Sequence, residues 1–124
     1  MKMIEGGVTA AQGFVAGGIH CGIRKNKSKP DLAMIYSEKP CATAAVYTQN
    51  LVKGAPILVT QKNIADGAAK AVICNSGNAN TCNADGEEKA QAMCDLTAQA
   101  LGIAPQDVVV ASTGVIGQVL PIEP

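Results

Sequence analysis

Large aromatic side chains are almost absent from this sequence, because its 124 residues include one phenylalanine, two tyrosines and no tryptophan. Aromatic rings usually supply much of the buried area of a protein core. Alanine, valine, isoleucine and leucine must therefore fill this core, and side chains of that size favour closely packed sheets and helices. Hydrophobic residues make up 48 % of the chain, which is too many for a disordered tail. We expect a single domain over residues 1–124, incomplete alone, whose core a second chain completes.

The charge balance excludes several classes of partner. Ten basic and ten acidic residues cancel, so no net charge attracts the chain to nucleic acid or to an anionic membrane. The longest apolar runs are short, such as Val108–Ala111, so no segment could span a bilayer, and no apolar signal-peptide region follows Met1. We therefore predict a cytoplasmic protein that binds neither nucleic acid nor membrane.

The cysteines favour free thiols over disulfides or a metal site. They are Cys21, Cys41, Cys74, Cys82 and Cys94. Their number is odd and no C-x-x-C spacing occurs, which argues against both a disulfide framework and a metal centre. His20, the single histidine, stands in a glycine-rich segment that favours a core histidine over a catalytic base. We interpret the cysteines as buried thiols in a reducing compartment, and we expect no metal and no cofactor.

The first third of the chain has the pattern of an antiparallel meander. Residues 13–23 are glycine-rich and indicate a bent strand, and a basic turn over 24–30 leads into a second strand over 31–36. Residues 38–40 form another turn before a third strand over Cys41–Tyr47. Consecutive strands with short connections pair antiparallel. We interpret the basic turn as a solvated hairpin tip rather than a phosphate contact.

The middle of the chain alternates between helix and strand. Residues 55–59 fit either a strand or the start of a helix, because Pro56 is tolerated in both. Residues 61–66 fit a short helix that Gly67 ends. The apolar run Ala71–Cys74 indicates a buried strand.

The last third contains the clearest helix. It begins near Asp85-Gly86 with acidic residues in its first turn, as the helix dipole prefers, and it ends at Gly102. Val108–Ala111 is a further apolar strand. This order predicts an α/β (α+β) fold with layered sheets and helices outside. Leu120–Pro124 has the prolines of a connector rather than of a packed element, which indicates a polypeptide that was cut or the first part of a longer one.

Two polar segments follow apolar strands, where α/β proteins often bind ligands. Asn75–Asn80 is either a tight structural loop, since its residue types build turns, or the amide-lined wall of a cleft. Ser112–Gly114 offers hydroxyls and a glycine N–H that can hold a carbonyl oxygen as it becomes negative. The sequence has no G-x-S-x-G motif and no P-loop. If the chain takes part in catalysis, its nucleophile lies elsewhere.

Three ordered motifs together resemble the ornithine acetyltransferases, also called glutamate N-acetyltransferases. They are Ala44–Asn50 with Ala55-Pro56 after it, Asn75–Asn80, and Ser112–Gly117 with Leu120-Pro121 after it. The resemblance spans essentially the whole chain. It implies that the chain is the N-terminal part of the α chain of a precursor that cuts itself before a threonine. The new N-terminal threonine of the β chain is then the nucleophile.

The resemblance also implies an activity, a site and partners. Acetyl passes from N2-acetylornithine to glutamate through an acetyl-threonine enzyme in cyclic arginine biosynthesis, and some family members also accept acetyl-CoA. Thr113 and Gly114 are implied as the oxyanion hole. The implied partners are the β chain, in an α2β2 heterotetramer, and the two small-molecule substrates. Because this sequence lacks the family's Ala-Thr-Met cleavage segment, we expect residues 1–124 alone to be inactive.

The residues by themselves leave two other function classes open. One is a non-catalytic small-molecule-binding module that uses Asn75–Asn80. The other is a structural subunit in which Ser112–Gly114 is only a turn. An Ala-Thr-Met segment downstream in the gene would separate the enzyme from both.

Overall fold

A computed structural model of the chain describes residues 3–123. Its sheet has four strands in the spatial order of the sequence: β1 (Phe14–Ile19), β2 (Leu32–Ala42), β3 (Ala68–Asn78) and β4 (Val108–Val115). The pairs β1–β2 and β2–β3 are antiparallel, and β3–β4 is parallel. The helices are α1 (Ala55–Asn63) and α2 (Gly86–Leu101), and 3-10 turns cover Val8–Ala10, Ile64–Asp66 and Pro105–Asp107. The predicted α/β class is confirmed.

Local chemistry explains where the helices begin and end. Pro56 occupies the first turn of α1, which resolves the ambiguity of residues 55–59 in favour of helix. The predicted helix over 61–66 is divided between the end of α1 and a 3-10 turn, which Gly67 ends in a left-handed conformation. Gly102 ends α2 in the same way. α2 provides the long connection that the parallel strands β3 and β4 require.

Small side chains form the core between the helices and one face of the sheet, as the scarcity of aromatic residues predicts. The buried cluster contains Val59, Ala71, Ile73, Ala90, Met93, Cys94, Ala98, Val108, Val110 and Leu120. Leu120 is almost completely buried, so the interpretation of residues 120–124 as an unpacked connector is wrong at its first position. Pro124 lies outside the described residues, as does Met1.

The second face of the sheet is only partly buried. Side chains alternate between the two faces of a strand, so Val72 points away from the face that carries Ala71 and Ile73. Ile35 on β2 and Val109 on β4 are the partners of Val72, and all three side chains are half-buried. Both α1 and α2 bury side chains against the first face, which leaves this row of apolar residues to be covered from elsewhere.

The predicted third strand over Cys41–Tyr47 is wrong. β2 continues through the expected turn at 38–40, and its register to β3 shifts between Tyr36 and Cys41. The buried Ser37 hydroxyl donates to the Lys39 carbonyl at 2.7 Å and holds this irregularity. Residues 43–50 contain no helix or strand.

Helix α1 covers much of the outer edge of β4. The Thr60 hydroxyl donates to the Val110 carbonyl at 2.9 Å and accepts the Val110 N–H at 3.1 Å. The buried Asn63 amide donates to the Val108 carbonyl at 2.9 Å and to the Pro105 carbonyl at 3.2 Å. These bonds satisfy backbone groups that an edge strand otherwise leaves unpaired.

Neither helix within residues 3–123 has the length and apolar character needed to cross a membrane.

Candidate functional site

The two polar motifs lie side by side at the carboxyl ends of β3 and β4. The register pairs Asn75 with Ser112, Ser76 with Thr113, and Gly77 with Gly114. Both segments were expected to follow their strands, but the strands extend through most of them. The parallel pairing is what brings the motifs together, although they are far apart in sequence.

The asparagines of the first motif bind the chain's own backbone. Asn75 donates to the Asn78 carbonyl at 2.9 Å, and Asn78 donates to the Gln118 carbonyl at 3.0 Å. Asn80 donates to the Gly86 carbonyl at 2.8 Å, at the start of α2. All three asparagines are buried. The geometry therefore supports the structural interpretation of this segment over an amide-lined cleft wall.

Gly77 and Gly114 both adopt backbone conformations that favour glycine, and Gly114 also lets the two strands approach more closely than a side chain would permit. Their φ angles are +116° and +137°, in a region that L-residues with side chains rarely adopt. A Cβ at Gly114 would lie 2.5 Å from the Asn78 nitrogen and 2.6 Å from the Gly77 carbonyl oxygen. Glycine is therefore a steric requirement at position 114, whatever else it does.

Thr113 and Gly114, the candidate site residues, lie at the exposed end of β4. Ser112 before them buries its hydroxyl oxygen, which has no hydrogen-bond partner among the described residues. Of the two hydroxyls in Ser112–Gly114, the Thr113 hydroxyl is therefore the one that an incoming molecule reaches. Nothing in the spacing of the sequence distinguishes the two in this way.

The loop between β1 and β2 is organised by a buried carboxylate that the sequence analysis missed. Asp31 is only 2 % exposed, and its oxygens accept the backbone N–H groups of Cys21 and Arg24, each at 2.7 Å. His20 Nδ1 lies 3.1 Å from Asp31 Oδ2, but the two atoms do not form a hydrogen bond. His20 is a quarter exposed beside this carboxylate rather than a core residue. The available signal was that Asp31 is the only acid near a basic turn.

This environment stabilises the ionised form of Asp31. Burial opposes ionisation, but the N–H groups of Arg24 and Cys21 outweigh it and hold the pKa of Asp31 well below its ordinary value. The pKa of the Cys21 thiol shifts in the opposite direction, because burial and the neighbouring Asp31 both raise it. The thiolate, which is the nucleophilic form of cysteine, is therefore disfavoured at Cys21.

The cysteines are free throughout the described part of the chain, but only one is fully buried. Cys94 lies in the core, and burial raises its pKa to about 11. Cys21, Cys41 and Cys74 are half-buried, and Cys82 is exposed, contrary to the expectation of buried thiols. Among residues 3–123, no three His, Cys, Asp or Glu side chains are grouped so that they could hold a metal ion.

Fold and site together define an α/β domain with an exposed hydroxyl and an exposed glycine near the end of β4, beside the parallel strand β3. The model of the ArgJ family matches residues 15–124. The chain therefore belongs to the ArgJ family, and the resemblance seen in the three motifs is confirmed.

Curated relatives match almost the whole chain. It is 53 % identical over 124 residues to the arginine biosynthesis bifunctional protein ArgJ of Gloeobacter violaceus, covering 98 % of this chain and 30 % of that protein. It is 49 % identical over 125 residues to the protein of the same name from Symbiobacterium thermophilum, covering 99 % and 31 %. The chain thus spans about three tenths of the length of these relatives.

Solved structures share the fold. The crystal structure of the arginine biosynthesis bifunctional protein from Bacillus halodurans aligns with a TM-score of 0.90 at 45 % identity, over 95 % of this chain and 62 % of that one. The structure of an ornithine acetyltransferase complexed with ornithine from Mycobacterium tuberculosis aligns with a TM-score of 0.88 at 40 % identity, over 94 % and 64 %.

Proposed function

We propose that this chain is the oxyanion-binding part of a glutamate N-acetyltransferase of arginine biosynthesis that takes acetyl from N2-acetylornithine. Relatives that match nearly the whole chain are named for arginine biosynthesis, and a solved relative is an ornithine acetyltransferase that holds ornithine. The observation that carries the proposal is the exposed pair Thr113 and Gly114 at the end of β4.

In the proposed reaction, a threonine of the second chain attacks the acetyl carbonyl carbon of N2-acetylornithine. The carbonyl oxygen becomes negative, and the Thr113 hydroxyl and the Gly114 N–H donate hydrogen bonds to it. The carbon–nitrogen bond then breaks, and ornithine leaves with the proton that the threonine hydroxyl lost to its own α-amine. The amine of glutamate attacks the resulting ester, which releases N-acetylglutamate and restores the threonine.

The direction of the Gly114 N–H supports this role. Successive residues of a strand direct their N–H groups to opposite sides. The Val110 N–H points outward to Thr60, whereas the Val115 carbonyl accepts from Ala79 on the β3 side. By this alternation the Gly114 N–H faces the outer side of β4, beyond the part that α1 covers. The tight packing of Gly114 against Gly77 favours a fixed position for this N–H, and fixed donors stabilise a developing charge best.

The proposal includes a second chain that supplies the nucleophile and completes the core. Val46 and Leu51 are 99 % and 98 % exposed in a segment without helix or strand, and the second face of the sheet holds an apolar row. The chain spans only about three tenths of its curated relatives. We propose that the remainder of a self-cleaving precursor, including its β chain, covers these surfaces, and that two αβ units pair as α2β2.

The test of the site uses the full-length enzyme that carries this chain. Thr113→Ala should lower kcat by ~10²–10³, the usual effect of losing one oxyanion donor, with little change in KM for N2-acetylornithine. Thr113→Ser should retain more activity, because the hydroxyl remains. Thr9→Ala is the matched control, since Thr9 is exposed in a 3-10 turn. A kcat for Thr113→Ala within a few-fold of the parent would refute the assignment.

The test of the second chain compares residues 1–124 expressed with and without the downstream polypeptide. Acetyl transfer and elution volume are measured for both. We expect no transfer and poor solubility from residues 1–124 alone. A soluble, monomeric and cooperatively folding 1–124 would contradict a shared core, and acetyl transfer by 1–124 alone would overturn the mechanism.

A further inference from the structure

An open cleft with basic side chains in its lining lies at the same end of the sheet as Thr113 and Gly114. It opens between the β1–β2 loop and the ends of β3 and β4. Its lining includes Arg24, Lys25, Asn26, Gly77, Val115 and Gln118. Val115 directly follows Gly114, so the cleft adjoins the proposed oxyanion site.

The loop that forms one wall of this cleft carries unbalanced positive charge. Arg24, Lys25, Lys27 and Lys29 are four of the ten basic residues of the chain. The nearby Asp31 is buried and binds backbone N–H groups. Within residues 3–123, His20 Nδ1 beside Asp31 is the only basic side-chain nitrogen within 4.0 Å of a carboxylate oxygen. No described carboxylate therefore neutralises Arg24 or Lys25, and the cleft attracts anions.

Arg24 is held in place at its backbone and at the base of its side chain. Its N–H donates to Asp31 at 2.7 Å. Its Cγ lies beside the Gly77 backbone, because a Cβ added to Gly77 would be only 2.8 Å from it. Since Gly77 is the partner of Gly114, contacts lead from Arg24 through Gly77 to the proposed site. Lys27 and Lys29 are farther along the exposed turn, and for them the interpretation as a solvated hairpin tip is retained.

We propose that Arg24 and Lys25 form an anion subsite that binds the acidic group of a substrate whose reacting atom lies at Thr113 and Gly114. The inference rests on the proposed function and deepens it. Guanidinium binds carboxylate and phosphate groups with paired hydrogen bonds, and a neighbouring ammonium adds charge. The anion is the side-chain carboxylate of the acceptor glutamate, and the phosphates of an acetyl-CoA donor offer the same chemistry.

The experiment measures binding directly in the full-length enzyme. Isothermal titration calorimetry with L-glutamate and with coenzyme A is carried out on the parent, Arg24→Gln, Lys25→Gln and the double variant. Gln retains the Cγ that contacts Gly77, so the loop keeps its packing. Arg24→Lys preserves the charge without the paired geometry. Lys62→Gln removes a cation from the exposed end of α1 and is the matched control.

Loss of a charge-assisted contact should weaken binding about tenfold or more in Arg24→Gln. Arg24→Lys should be intermediate, and Lys62→Gln should bind as the parent does. A weaker affinity for glutamate, with KM for glutamate raised and ornithine release from N2-acetylornithine unchanged, identifies the acceptor carboxylate. A weaker affinity for coenzyme A alone identifies the donor phosphates. Both results support the subsite. If Arg24→Gln lowers the melting temperature, Lys25→Gln, at an exposed position, decides instead.

Two results overturn the subsite. One is a parent enzyme that binds neither probe, and the other is a folded double variant with parental affinity for both. The outcome is separable from the proposed function. Binding that depends on Arg24 in a protein without acetyl transfer leaves the subsite standing. A transferase sensitive to Thr113→Ala but indifferent to Arg24→Gln and Lys25→Gln overturns the subsite alone.

Discussion

Gly114 lies opposite Gly77 in the parallel pair of β3 and β4, and a Cβ on Gly114 would be 2.6 Å from the Gly77 carbonyl oxygen. Position 114 therefore needs glycine for folding as well as for the proposed donor N–H. A loss of activity on changing Gly114 does not separate these roles. Thr113, whose side chain is exposed, is the residue at which catalysis can be tested without disturbing the strand pair.

Gly114→Ala should destabilise the domain. The added Cβ forces the ends of β3 and β4 apart, at a cost of about 1–3 kcal/mol for overpacking and about 1–3 kcal/mol for the positive φ. Gly117→Ala is the control, because Gly117 also has a positive φ but open space around its Cα. Thermal unfolding of both variants provides the comparison. Equal melting temperatures would contradict the steric argument.

Thr60→Val should weaken the attachment of α1 to β4. Valine keeps the shape of threonine but loses both hydrogen bonds to Val110, which leaves buried backbone groups unpaired and costs about 1–3 kcal/mol. Thr97→Val is the matched control, since the Thr97 hydroxyl donates only to the Met93 carbonyl of its own helix. Denaturant unfolding should show the larger loss for Thr60→Val. The reverse order would argue against the edge contact.

Asp31 should make the domain sensitive to acid. The folded state holds the pKa of Asp31 below its ordinary value, so the stabilisation is present above about pH 4, near the unfolded pKa. It is lost as the pH falls further, through the lower folded pKa. Asp31→Asn should therefore be less stable than the parent at pH 7, with a difference that shrinks below pH ~4.

Melting temperatures at several pH values between 7 and 2.5 test this dependence. Hydrogen exchange at the Cys21 and Arg24 amides gives a local measurement, because both donate to the carboxylate. Asp95→Asn, which removes an exposed carboxylate of α2, controls for the change of charge. A constant difference between the parent and Asp31→Asn at every pH would be inconsistent with the linkage.

The thiols should differ in reactivity. Burial raises the pKa of Cys94 to about 11, whereas Cys82 is exposed, and only the thiolate reacts with alkylating reagents. Alkylation at pH 8 followed by peptide mass mapping should label Cys82 before Cys94. Labelling of Cys94 should require denaturant, and the denatured sample is also the positive control. Early labelling of Cys94 in the native protein would show that the core opens there.

Local chemistry predicted the helices better than the strands. α2 could be placed from its acidic first turn and from Gly102, because these features act within one or two turns of helix. The third strand was mistaken because residues 38–40 have the composition of a turn. These residues instead continue β2 through a register shift that the Ser37 hydroxyl stabilises by hydrogen bonds to Lys39. No local sequence pattern encodes those bonds.

The motifs of the candidate site were visible in the sequence, but their relationship was not. Asn75–Asn80 and Ser112–Gly117 are recognisable separately, whereas the pairing of Gly77 with Gly114 depends on the register of two strands joined through α2. Asp31 was missed for the same reason. Its importance comes from burial and from two backbone contacts across the loop, and both are properties of the folded chain.

The bonds from Thr60 and Asn63 to β4 also limit how this domain can polymerise. One side of the sheet is occupied at Val108 and Val110, so β1, whose residues are mostly exposed, is the long edge that remains among the described strands. Two copies that met edge to edge through β1 would each have used that edge. Such pairing closes after two copies, so the β1 edge by itself offers no route to a fibre.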